Sequence, residues 1–216
     1  METDIQQKVK EIKQSFRGLM DGAVSQSMRQ KGLDYRLNWG VTLPRLRQMA
    51  DEIHSQCSVS DAPYSIYSLA LALWKENVRE CKILATMLMP ADEMLPEVAD
   101  IWMEQTHTVE LAEQAAFNLY QHLPYAPEKA YLWLSSPDDL PQICGYHVLS
   151  RLFAREQEPN ERGINEFIDQ ALCALQSPNA SLRKAAMQAV VHFADMGLMY
   201  ERLARSAIRS IGLDFL

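Results

Sequence analysis

The sequence contains little glycine, with eight residues among 216, and almost no stretch in which Val or Ile alternates with polar residues. A fold built on β-strands therefore has little support. Ala, Leu, Met, Glu, Gln and Arg are abundant, and these residue types favour helices. The composition predicts an all-α protein.

Long apolar runs and paired cysteines are also missing. No run approaches the roughly 18 residues of a membrane span, and the segment METDIQQKVKEIKQSF is charged throughout. We therefore expect a cytoplasmic protein with no membrane partner. Cys57, Cys81, Cys144 and Cys173 lie far apart without a CxxC pair, which predicts buried free thiols.

The motifs of several common enzyme classes do not occur. The sequence has no HExxH, GxGxxG, phosphate-binding P-loop or GxSxG motif. Zinc hydrolysis, dinucleotide binding, nucleotide hydrolysis and serine hydrolysis therefore have no support. We expect neither a cofactor nor a metal.

Positive charge is scarce in the middle of the chain. The net charge is −7, which argues mildly against a nucleic-acid partner. Residues 1–48 carry nine Lys or Arg against five Asp or Glu, residues 49–150 carry four against fifteen, and residues 151–216 carry eight against eight. A basic face is compatible with this uneven distribution, although the average does not indicate one.

Four helical segments resemble one another. The first apolar position of these segments is occupied by Val78, Val109, Leu140 and Leu182, which are spaced 31, 31 and 42 residues apart. Mostly small or apolar residues follow three and seven positions later, which is typical of a narrow face for close packing. This pattern favours an α-solenoid of HEAT-like helical repeats over a plain helical bundle. We predict a single HEAT-like-repeat domain over residues 1–216, with a concave side for an elongated partner.

Five short motifs follow one another in the first half of the chain: Gly40-Val41, Pro44, Arg47, Leu73-Trp74 and Arg79-Glu80. In this order they resemble the DNA alkylation repair family, the AlkD-type HEAT-like-repeat alkylpurine DNA glycosylases, and the likeness covers most of the chain. The resemblance implies an enzyme that holds duplex DNA in its concave face and releases purines alkylated at N3 or N7. It also implies a carboxylate that stabilises an oxocarbenium-like sugar, with tryptophans along the backbone and an arginine on phosphate.

Two segments depart from the family pattern. In THTVELAEQAAF, Val109 stands where the family has a tryptophan and Glu113 stands where it has an aspartate. In residues 138–151 no arginine precedes Arg151, and Pro141 lies near the expected position. Misplacing a catalytic group by about 1 Å can cost on the order of a hundredfold in rate. The resemblance therefore predicts a divergent member with a degenerate catalytic motif, in which Glu113 is the catalytic candidate and glycosylase activity is either retained or lost.

Basic side chains near helix starts suit phosphates, and a loop tryptophan suits a ligand surface. The residues that we expect to contact nucleic acid are Trp39, Arg45, Arg47, Arg151, Arg183 and Lys184. The alternative for the cations is ordinary surface charge with ion pairs between repeats, and for Glu110 and Glu113 it is a solvated acidic face.

Other conspicuous residues have a structural interpretation. We expect Trp74 and Trp102 in the core, Arg79 as a brace between repeats, and His107 and His147 as satisfied histidines rather than general bases. A second hypothesis for the whole chain is a non-catalytic scaffold that binds a protein or peptide in the same concave groove. The sign of the charge on that groove distinguishes the two hypotheses.

Overall fold

Short connections link twelve α-helices in the computed structural model, which describes residues 2–33, 35–59 and 64–216. Those residues contain no β-strand, only an isolated parallel bridge between Leu37 and Val78, so the all-α prediction is confirmed. The helices are α1 (Glu2–Gly18), α2 (Gly22–Gln30), α3 (Leu43–Val59), α4 (Ile66–Lys75), α5 (Arg79–Leu88), α6 (Pro96–Glu104), α7 (Val109–Asn118), α8 (Ala126–Leu134), α9 (Asp139–Phe153), α10 (Glu161–Leu175), α11 (Ala180–Asp195) and α12 (Leu198–Ser210), with a short 3-10 helix at Tyr120–His122.

The chain divides into two compact units, Met1–Met94 and Leu95–Leu216. The first contains α1–α5 and the second contains α6–α12. A single repeat domain over residues 1–216 stays a prediction. Within the described ranges, no helix combines the length and the apolar character that crossing a membrane requires.

Helices α4 and α5 form a packed pair in the first unit. Leu69, Leu73 and Trp74 recur at helical spacing on α4 and are buried. On α5, the ammonium of Lys82 donates to the carbonyl of Trp74 at 3.1 Å and lies 4.2 Å from the centroid of its ring. Burial lowers the pKa of Lys82 to about 8. The prediction that Trp74 and Trp102 belong to the core is confirmed.

A buried carboxylate fixes the loop that precedes α3. Oε1 of Glu80 accepts hydrogen bonds from the backbone N–H groups of Trp39, Gly40 and Val41 at 3.1, 3.0 and 3.2 Å. Arg79 donates to the carbonyl of Val41 at 2.9 Å, and its Nη1 lies 3.4 Å from Glu80 Oε1. Three backbone donors and a guanidinium offset the cost of removing this carboxylate from water. Arg79 and Glu80 therefore hold the loop in place from inside the first unit.

The same loop requires glycine at position 40. Gly40 has a φ of +77°, and a Cβ added there would lie 2.4 Å from the carbonyl oxygen of Asp21. Asp21 also caps α2 by accepting hydrogen bonds from the N–H groups of Ala23 and Val24. The loop and the start of α2 therefore pack backbone against backbone, and only glycine fits.

Helix α9 lies at the centre of the second unit, where it packs against α7, α8 and α11. A Cβ added to Gly145 on α9 would lie 2.8 Å from the carbonyl of Ala130 on α8, so these two helices approach closely. The small residues that lie three and seven positions after the first apolar residue of α7 and of α11 are buried: Ala112, Ala116, Ala185 and Ala189. Close packing at these positions sets how α7, α9 and α11 align.

Aromatic rings join the last four helices of the second unit. The rings of Phe153, Phe167 and Phe193, on α9, α10 and α11, have centroids 4.9–5.4 Å apart. Tyr200 on α12 continues the cluster, 5.1 Å from Phe193. These helices therefore share one apolar core, to which each contributes a large side chain.

All four cysteines are free thiols. Cys81 and Cys144 are buried as predicted, and burial raises the pKa of Cys81 to about 12. The expectation of burial is wrong for Cys173, which is exposed, and for Cys57, which is half-buried. Helical spacing places Cys173 on the side of α10 away from Phe167 and Ala171, which face the core.

Replacing Glu80 with glutamine tests the carboxylate that holds the loop. We expect the Glu80→Gln variant to lose about 2–4 kcal/mol of unfolding free energy, because a buried charge that satisfies three backbone donors and a guanidinium is removed. Urea unfolding followed by circular dichroism measures the loss.

The matched control is Glu93→Gln, since Glu93 is exposed. We expect the control to stay within about 0.5 kcal/mol of the wild type. A Glu80→Gln variant as stable as the control would contradict a structural role for this carboxylate.

Candidate nucleic-acid interface

Side chains of α7, α9 and α11 interact with one another in the second unit. Glu113 on α7 interacts electrostatically with His147 on α9 and with Lys184 on α11. One turn further along, the guanidinium of Arg151 lies over the ring of Phe117. We call the surface formed by these five residues the α7–α9–α11 face.

Helix starts and helical spacing position these groups. The hydroxyl of Thr108 accepts a hydrogen bond from the N–H of Leu111 and so caps α7. Glu113 and Phe117 then lie four residues apart and share one side of the helix. His147 and Arg151 have the same four-residue separation on α9. Two matched pairs therefore face each other across neighbouring helices.

Glu113 and His147 form a partly shielded pair. Oε1 of Glu113 lies 3.5 Å from Nε2 of His147, and their side chains are 43% and 17% exposed. The hydrogen bond from His147 is the main cause that lowers the pKa of Glu113, with smaller contributions from the charges of His147 and Lys184 against the opposing effect of burial. Glu113 is therefore ionised at neutral pH and is not a freely solvated carboxylate.

Phe117 and Arg151 form a cation–aromatic pair on the same face. The guanidinium carbon of Arg151 lies 5.0 Å from the centroid of the Phe117 ring. The Phe117 side chain is 38% exposed, whereas Arg151 is half-buried. The contact holds a charged plane over an aromatic ring that still faces solvent.

This arrangement limits the chemistry of the face. An ionised carboxylate beside an imidazole can order water or stabilise a nearby positive charge, and Arg151 and Lys184 suit phosphate oxygens. Val109, at the expected tryptophan position, is a half-buried aliphatic side chain and supplies no aromatic wall. Across residues 2–33, 35–59 and 64–216, no three His, Cys, Asp or Glu side chains are placed to hold a metal ion.

Three of the residues expected to contact nucleic acid lie in the first unit. The ring of Trp39 is 6% exposed and lies 5.6 Å from that of Phe16, so it packs in the core rather than on a loop surface. Arg45 is half-buried and donates to Gln48, and Arg47 is exposed. The expectation that Trp39 lies on a ligand surface is therefore corrected, whereas DNA contact by Arg45 and Arg47 stays a prediction.

The other predicted residues lie in the second unit. Glu113, Arg151 and Lys184 come together on the α7–α9–α11 face. Arg183 is exposed but donates to the carbonyl of Ser177 at 2.6 Å, which ties its guanidinium to the loop before α11.

Sequence reasoning missed Phe117 entirely and did not assign His147 as the partner of Glu113. A signal was present, because the pairs Glu113–His147 and Phe117–Arg151 have the same separation of 34 residues. Two equal separations indicate two side chains of one helix that meet two of the next.

Four of the fifteen acidic residues of the middle region line a separate cleft. This cleft, of about 750 Å³, lies among α6, α8 and the start of α9, and includes Asp100, Glu104, Asp138 and Asp139. Lys129 neutralises part of it through a contact of 2.6 Å with Asp100. The net charge of the chain therefore does not describe the α7–α9–α11 face.

Comparisons with known proteins agree on the fold. The family model described as DNA alkylation repair enzyme matches residues 12–186. A solved structure described as "a new family of proteins related to the HEAT-like repeat DNA glycosylases with affinity for branched DNA structures" is 14% identical, with a TM-score of 0.79 over 94% of this chain and 83% of that one. No curated protein matches the chain. The predicted HEAT-like-repeat fold is thereby confirmed.

Removing the imidazole tests the cause of the lowered pKa of Glu113. In the wild type we expect the carboxylate to titrate below its ordinary value of 4.5. The His147→Leu substitution removes the hydrogen-bond donor, so the pKa of Glu113 should rise. Carbon-detected NMR of the glutamate side chains measures both midpoints.

His107→Leu is the control, because the His107 side chain is exposed and lies before α7. It should leave the Glu113 midpoint in place. An unchanged midpoint in His147→Leu would show that the pair does not form in solution.

Proposed function

Since the chain belongs to the DNA alkylation repair enzyme family, we propose that it binds DNA through the α7–α9–α11 face. The observation that carries the proposal is that His147 and Lys184 lie near the ionised Glu113, while Arg151 covers Phe117 one turn further along α7 and α9. The protein of similar fold, described as having affinity for branched DNA structures, supports DNA as the class of ligand.

The cations of this face are assigned to the DNA backbone. Lys184 is exposed near the start of α11, and Arg151 lies over Phe117 on the side of α9 that carries His147. Contacts to phosphate carry most of the affinity of such interfaces and do not depend on base sequence. Arg45, Arg47 and Arg183 are further candidates for the same role.

We propose further that excision of N3- or N7-alkylated purines is weak or absent. The imidazole of His147 lies 3.5 Å from the carboxylate of Glu113 and competes with a water molecule or a cationic sugar for that side of the carboxylate. Val109 supplies no aromatic wall to exclude water. Glu113 therefore supplies the carboxylate that the family reaction needs, but it lacks the aromatic wall that would exclude water.

A protein scaffold is the alternative function. The acidic cleft beside α6 and α8 favours it, because carboxylates there lie next to Leu132, which is 56% exposed. A basic segment of another protein would fit such a surface. If the wild-type protein does not bind DNA, this alternative is favoured.

Fluorescence anisotropy with labelled duplex and branched DNA at several salt concentrations tests the proposed function. Glutamine replacements of Arg151 and Lys184 should each weaken binding by about three- to tenfold. Each should also lower the slope of log affinity against log salt by about one, because each removes one phosphate contact.

Matched controls are Arg162→Gln and Arg202→Gln, which remove exposed cations from α10 and α12. These variants should bind like the wild type. Equal losses in the controls and in the two face variants would mean that binding follows total charge, and the assignment to this face would be wrong.

A glycosylase assay on DNA methylated at guanine N7 tests the proposal about catalysis. We expect the wild type to release 7-methylguanine at a rate close to spontaneous loss, and Glu113→Gln to behave in the same way. Rapid release by the wild type that disappears in Glu113→Gln would show that Glu113 is catalytic after all.

A further inference from the structure

The second unit contains a cavity that lies apart from the α7–α9–α11 face. It has a volume of about 420 Å³ and lies among α8, the end of α9 and the start of α10. None of the five residues of the α7–α9–α11 face lines it. Sites for small molecules usually have volumes of roughly 300 to 1,000 Å³, so this cavity has the size of a small-molecule site.

Hydrogen bonds hold the walls of the cavity in place. The hydroxyl of Tyr131 on α8 donates to the carbonyl of Gly163 on α10 at 3.0 Å. In the loop after α9, the N–H of Gln157 donates to the carbonyl of Leu152 at 3.0 Å. Asn160 caps α10 by accepting a hydrogen bond from the N–H of Gly163 at 2.8 Å. All of these residues line the cavity, which is therefore preformed, as binding sites for small molecules usually are.

One part of the lining is apolar and deeply buried. Leu149, Leu152 and Phe153 line the cavity from α9 and are at most 3% exposed. Tyr131 adds a second aromatic ring beside that of Phe153. Burial, and to a smaller extent the charge of Glu166, raises the pKa of Tyr131, so its hydroxyl is uncharged at neutral pH. This part of the cavity suits the hydrocarbon portion of a ligand.

Carboxylates dominate the charge of the lining. Glu128, Glu158 and Glu166 line the cavity together with a single cation, Arg162. Glu158 is linked by a hydrogen bond to the hydroxyl of Tyr200. Among the residues that the structure describes, no lysine or arginine forms an ion pair with any of the three carboxylates. Three negative charges against one positive charge favour a cation in this cavity and disfavour phosphate.

We propose that this cavity is a binding site for a small organic cation. The apolar part of the ligand contacts Leu152 and Phe153, and its positive charge lies beside Glu128 and Glu166. The inference goes beyond the proposed function and does not rest on it, since DNA is an anion and no residue of the α7–α9–α11 face takes part.

The test uses benzamidinium and benzamide, which have nearly the same shape and differ in charge. An NMR titration of the isotope-labelled protein measures both affinities. We expect benzamidinium to bind with a dissociation constant of about 1 mM or lower, which suits a ligand of this size. Benzamide should bind at least about tenfold more weakly, because it lacks the charge. The resonances of Gln157 and Gly163 should shift, whereas that of Lys184 should stay in place.

The Glu166→Gln variant removes one carboxylate of the cavity. It should weaken the binding of benzamidinium by about three- to tenfold and change that of benzamide by less than about twofold. The matched control is Glu161→Gln, because Glu161 is an exposed carboxylate of the same helix that does not line the cavity. The control should bind like the wild type, and circular dichroism melting shows whether both variants are folded.

Three results would overturn the inference. The first is equal affinity of the wild type for benzamidinium and benzamide, and the second is an equal loss in Glu166→Gln and Glu161→Gln. The third is an absence of binding at about 10 mM benzamidinium. If an oligo-arginine peptide then shifts the resonances of Gln157 and Gly163 in its place, a basic protein segment occupies this surface instead.

Discussion

The close approach of α9 to its neighbours is the constraint on which the candidate site depends. Gly145 allows the backbone of α8 to approach α9 closely. Buried alanines such as Ala112 on α7 and Ala185 on α11 allow these two helices to pack close to α9. Because the helices pack at these small residues, the longer side chains beside them emerge together on one surface. The pairs of Glu113 with His147 and of Phe117 with Arg151 are consequences of this packing.

The motifs by which the sequence resembles its family are partly structural. Glu80 accepts three backbone hydrogen bonds from the loop that includes Gly40-Val41, and Arg79 closes the same loop. None of these contacts involves a group available to a ligand. Arg79, Glu80 and Gly40-Val41 therefore stabilise the fold of the first unit, whereas Glu113 and Val109, which depart from the family pattern, lie in the second unit.

The sequence was sufficient to predict the all-helical fold, the buried small residues of the repeats and the core positions of Trp74 and Trp102, because burial at helical spacing is a local pattern. It was not sufficient for the site. Aligning the repeats at a spacing of 31 residues places Glu113 opposite a buried cysteine, whereas the structure pairs it with His147, one turn further on. The axial shift between two packed helices depends on side-chain volumes along their whole contact, which a repeat alignment does not contain.

Opposite charges lie on different surfaces of the second unit. Four carboxylates line the cleft beside α6 and α8, whereas Arg151 and Lys184 lie on the α7–α9–α11 face. The most direct test of the central claim is an NMR titration of the isotope-labelled protein with branched DNA. The account predicts that the resonances of Phe117, His147 and Lys184 shift first, while those of the acidic cleft stay in place. Shifts confined to other surfaces, with these three residues unaffected, would contradict it.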